Sequence, residues 1–174
     1  MKHSLQQQGI KNIFALNLEP VFADIRQFAE QVAEKVAEIR TLTGADKVIL
    51  VGHSMGGLVA RVYLYQLGGR TFVKKLITLG SPHEGTVLAN LMAGMNVKQM
   101  RPHNAWLAAL AQSEAKQQTI PTTCIYSCHD NFIAPQESAK LHYAKNIPIA
   151  GVGHIEMTFS KPFQTLVYEE ITHS

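Results

Sequence analysis

A chain of 174 residues with 46% apolar and 17% charged side chains can close one domain around a real core, and is too apolar to be disordered. The formal net charge of +3 comes from scattered lysines and arginines, with no run longer than Lys74-Lys75, which leaves no basic stripe for nucleic acid. No stretch reaches the roughly 18 apolar residues of a membrane span, and residues 1–14 carry no apolar signal core.

In chain order, residues 1–9 read as the tail of a helix and 12–18 as a short strand. Pro20 opens a second helix, in which Ile25, Phe28, Val32, Val36 and Ile39 recur at steps of three and four. Thr43-Gly44 closes it. Residues 47–51 form a continuous apolar run, as in a strand covered on both faces. A helix over 56–67 follows, then a strand over 72–79. Residues 84–120 are less regular and contain a short helix near Trp106, Leu107 and Leu110. Strands over 122–127 and 146–150 and a helix over 162–172 complete the series. Cys124 and Cys128 read as two reduced, buried thiols, since their spacing suits neither a disulfide nor a metal site. The alternation of strands and helices predicts a single α/β domain over 1–174, with a mostly parallel sheet, helices on both faces and an insertion over 84–120.

Active groups in such sheets collect at the carboxyl ends of the strands. After the run 47–51 comes Gly52-His53-Ser54-Met55-Gly56, which fits G-x-S-x-G, the sharp strand-to-helix turn that exposes a nucleophilic serine. The glycines supply the smallness the turn demands, and the first amides of the following helix face the reaction centre. Asp130 follows the strand 122–127 and is the best orienting acid; Glu84 and Glu156 are weaker rivals. His154, in Gly151-Val152-Gly153-His154, follows the last strand and is the expected base. His53 adjoins the serine but is expected to point away. His83 can line a pocket and His129 adjoins the acid, whereas His3, His103, His142 and His173 read as surface residues. The Met55 amide is the expected oxyanion donor. Leu88, Trp106 and Leu107, together with Leu91, Met92 and Leu110, are candidates for an acyl pocket, and core packing explains them equally well.

These stretches, with Leu79-Gly80-Ser81-Pro82-His83-Glu84-Gly85-Thr86, resemble the α/β-hydrolase superfamily, and within it the bacterial triacylglycerol lipase and esterase branch. The resemblance implies hydrolysis of carboxylic esters without cofactor or metal, a small-molecule or lipid ester as substrate, transient contact with a membrane or lipid surface, and a cap over 84–120. It also implies a preceding strand ending in His-Gly, which supplies a second oxyanion N–H and which residues 1–11 do not contain. The chain therefore reads as starting one strand late, or as a minimal variant in which 12–18 pairs directly with 47–51. A non-catalytic binding domain, an acyltransferase and an amidase remain open alternatives, because the same triad serves several reactions.

Overall fold

The computed structural model describes residues 1–173. Four parallel strands, β1 (Val48–His53), β2 (Val73–Leu79), β3 (Thr122–Ser127) and β4 (Lys145–Ile149), lie in the order β1-β2-β3-β4. Helices α2 (Ile25–Thr43), α3 (Met55–Gln66) and α5 (Ala105–Ala115) share one core with Val73 and Leu76. Helices α1 (Lys2–Gln7) and α6 (Lys161–Thr172) pack on the other face, around Ile77, Leu79, Ile125 and Phe163. The sheet is thus covered on both sides, as the alternation of elements implies.

Two elements differ from the sequence expectation. Residues 12–18 form no strand; they run without regular structure between α1 and α2. They do not pair with β1, so direct pairing of the two is ruled out for this structure. β1 is consequently an edge strand, and its Val51 is 40% exposed. An apolar, β-branched run looks the same in sequence whether one neighbour or two flank it. The second helix also starts later than Pro20. Asp24 is its cap, with a carboxylate oxygen accepting the Arg26 amide at 2.7 Å, while Pro20 lies in the preceding turn. The expected stop holds: Gly44 closes the helix at φ 70°.

Between β2 and β3 lie a 3₁₀ turn (Val87–Asn90), α4 (Met95–Gln99) and α5. α5 belongs to the body of the domain: its Leu107 and Leu110 enter the core of α2 and α3. Cys124 is buried as expected, but Cys128 is exposed, because it lies one residue past the end of β3.

Candidate active site

The carboxyl ends of all four strands supply the site. Ser54 follows β1 at φ 54° and ψ −127°, a left-handed conformation that costs a non-glycine residue about 1–3 kcal/mol. Its neighbours make this turn feasible. A Cβ on Gly52 would lie 2.7 Å from the backbone carbonyl of Gly56, and one on Gly57 would strike the Ser81 side chain. Only glycine lets the strand and the next helix approach so closely.

The turn aims the Ser54 hydroxyl at His154, with Oγ 2.9 Å from Nε2. The opposite ring nitrogen, Nδ1, lies 2.9 Å from Asp130 Oδ2. A carboxylate accepts only, so Nδ1 carries the proton and Nε2 is left to accept from the serine. The other Asp130 oxygen, Oδ1, accepts the amides of Phe132 and Ile133 at 2.8 and 2.9 Å. Burial works against the charged carboxylate. The His154 hydrogen bond and the two amides outweigh it, holding the Asp130 pKa below its usual value. Asp130 and His154 are both buried.

His53 does not point away. Its ring is 4.8 Å from that of His154, and its Nε2 lies 3.1 Å from the His154 carbonyl. Burial, and then the neighbouring imidazole, lower its pKa, so it stays neutral at pH 7. Phe132 stacks on His154 at 5.2 Å between ring centroids. Phe132 carries no residue-type signal of its own and is found only from the fold.

A cavity of about 130 Å³ opens beside Ser54, lined in part by Pro82, Thr86, Leu88, Met92, Phe132 and Ile133. Leu88 therefore reaches it. Trp106 and Leu107 do not; they pack in the core between α5 and α3. A helical stripe of apolar residues reads identically for a core and for a pocket, and here the core takes both. Glu84 is exposed, and Glu156 caps the Gly153 amide, so neither competes with Asp130. His3, His103, His142 and His173 are exposed.

His83 lies beneath the site rather than in the cavity. Arg61, fully buried on α3, makes a two-pronged ion pair with Glu114 of α5 at 2.6 and 2.8 Å. Arg61 also donates to the His83 carbonyl at 3.1 Å and lies 3.3 Å from His83 Nδ1. His83 Nε2 in turn is 3.1 Å from Thr78 Oγ1. Burial first, and the Arg61 charge second, push the His83 pKa well down. This neutral imidazole fixes the loop after β2 against α3, the helix that follows Ser54.

The chain is similar in sequence and in fold to known lipases. A triacylglycerol lipase of Pseudarthrobacter phenanthrenivorans is 33% identical over 94 residues, which are 53% of this chain and 28% of that protein. Lipase B of Pseudozyma antarctica is 27% identical over 141 residues, 74% of this chain and 41% of that protein. The chain thus spans well under half the length of these relatives. Among solved structures, Aspergillus fumigatus lipase B matches with a TM-score of 0.73 at 24% identity, covering 84% of this chain and 39% of that one. Bacillus licheniformis lipase BlEst2 in its mature form matches at 0.71 and 19% identity, covering 83% and 74% respectively. These likenesses show the α/β-hydrolase fold. The family model described as the PGAP1-like alpha/beta domain matches residues 8–150. With most of its length matched and its sheet shared with the solved lipases, the chain belongs to the PGAP1-like alpha/beta domain family of α/β-hydrolase folds.

Proposed function

We propose that this domain hydrolyses carboxylic esters, with Ser54 as nucleophile, His154 as general base and acid, and Asp130 as the group that orients His154. The observation that carries the reading is the pair of 2.9 Å contacts running from Ser54 through His154 to Asp130. His154 Nε2 takes the hydroxyl proton as Ser54 Oγ attacks the ester carbonyl. The carbonyl oxygen becomes an oxyanion, which accepts a hydrogen bond from the Met55 amide, the first N–H of α3. The imidazolium then gives its proton to the leaving alkoxide, so alcohol departs and the acyl group stays on Ser54. Water attacks that ester, again losing its proton to Nε2, and the acid is released as the serine regains its hydrogen. Neither a metal nor a cofactor enters these steps.

The cavity favours a short acyl group, since about 130 Å³ lies below the roughly 300 Å³ at which pockets for larger ligands begin. At its edge, Met92 lines the cavity and is half exposed, and Leu91 and Met95, close to it in the chain, are exposed as well. Such an apolar rim suits a lipid surface that presents the ester. The cap role belongs to the stretch from Thr86 to Met100, which lines the cavity; α5 is tied to the core by Glu114.

The test is hydrolysis of a p-nitrophenyl ester series by the folded chain and by Ser54→Ala and His154→Ala. Activity that peaks at short acyl groups and vanishes in both variants is expected. Equal hydrolysis by all three proteins refutes the reading, and binding of esters without turnover by all three favours a binding domain instead.

A further inference from the structure

Side chains, rather than a ladder or a helix, hold the backbone that carries His154. The Gly151 amide donates to His129 Nδ1 at 3.0 Å, and the Gly153 amide to Glu156 Oε2 at 3.0 Å. The His154 amide donates to Asn131 Oδ1 at 3.2 Å. On its other side the His154 carbonyl accepts from His53 Nε2 at 3.1 Å. Three of these four side chains are sequence neighbours of the other two triad residues. His53 precedes Ser54, and His129 and Asn131 flank Asp130. The segment needs such support, because Gly151 takes a positive φ of 76° and Gly153 follows two residues later, so its own backbone is permissive.

We propose that His53 and Asn131 are positioning residues that grip the His154 backbone on either side of its Cα, so that the neighbours of the nucleophile and of the acid set where the base stands. This rests on the hydrolase reading above. His53 reaches the carbonyl from the end of β1, and Asn131 reaches the amide from the loop after β3. The two strands belong to separate parts of the sheet, with β2 between them. Gripping one residue's backbone from both ties the Ser54–His154 distance to the sheet itself. A misplacement of about 1 Å costs on the order of a hundredfold in rate, and losing one of two grips displaces the base by only part of that. Loss of either grip is therefore expected to lower turnover about tenfold without weakening substrate binding.

The test compares His53→Phe, which keeps a ring and removes the donor, with His53→Gln, which restores an N–H donor, and with Asn131→Ala. Asn131 is exposed, so its replacement leaves the fold intact even where a change at His53 does not. With p-nitrophenyl acetate, His53→Phe and Asn131→Ala are expected to lose about tenfold in kcat with KM within about twofold, and His53→Gln to recover most of the loss. Hydrogen exchange over residues 150–158 gives a readout independent of turnover, and is expected to quicken in both loss variants. Wild-type kcat in both of them, no rescue by Gln, or unchanged exchange overturns the proposal. His154→Ala run in parallel separates the two layers. If it abolishes turnover while the grip variants do not, only the positioning role fails; if it leaves turnover intact, the hydrolase reading fails.

Discussion

Replacing Asp130 by asparagine changes one atom, and the surrounding contacts dictate where that atom goes. Asp130 Oδ1 accepts two backbone amides, from Phe132 and Ile133, while Oδ2 faces His154 Nδ1. The asparagine oxygen is required at the two amides, because an NH₂ group there would meet two donors with none accepting. The NH₂ group therefore faces His154 and forces Nδ1 to accept. The single ring proton moves to Nε2, which lies 2.9 Å from Ser54 Oγ. The base then presents a hydrogen to the serine where it should present a lone pair. A serine–histidine–aspartate site loses roughly 10⁴-fold in kcat from this change, equivalent to about 5 kcal/mol of transition-state stabilisation. Initial rates with p-nitrophenyl acetate, alongside urea unfolding to establish that the variant is folded, measure it. A folded Asp130→Asn protein with kcat within tenfold of wild type refutes the assignment of Asp130 and the tautomer argument with it.

Further outcomes follow from the same contacts. Ser54→Gly relieves the left-handed strain at φ 54°, so despite the added freedom of its unfolded chain the variant should unfold about 1 kcal/mol later in urea while losing all turnover; a less stable variant argues against stored strain. Glu114→Leu strands the buried Arg61 charge and should cost about 3–5 kcal/mol, most of it regained in Arg61→Met/Glu114→Leu. Acidification from pH 7 to 5 should destabilise the fold. His83, and to a lesser degree His53, hold pKa values below the ordinary 6.5, so the unfolded chain takes up protons that the folded chain refuses. His83 accounts for at most about 2 kcal/mol of that loss. Urea midpoints at the two pH values, in wild type and His83→Gln, measure it, and an undiminished pH dependence in the variant contradicts the assignment.

The parts of the site legible in the sequence are those in which local backbone geometry dictates residue type. A serine with glycines two positions before and two after, between an apolar run and a helix, leaves little choice of turn, and Ser54 lies in it. Asp130 and His154 are recognisable because each follows a strand, where a parallel sheet collects its polar groups. What the sequence hides is whatever depends on neighbours in space. The run 12–18 has strand composition and no strand partner. Trp106 and Leu107 have the spacing of a pocket wall and serve the core. His53 adjoins the serine in sequence, and only the return of the chain after β4 brings a carbonyl within its reach. Arg61 is an ordinary helix residue until Glu114, 53 positions later, closes on it.

The most direct measurement is intact-protein and peptide mass spectrometry after treatment with a fluorophosphonate, which phosphonylates only a serine whose proton a neighbouring base removes. One adduct per folded chain, located on Ser54, absent in His154→Ala and absent after unfolding in urea, is the predicted result. An unmodified Ser54 in the folded protein, or equal labelling without His154, would contradict the claim that this turn holds an activated nucleophile.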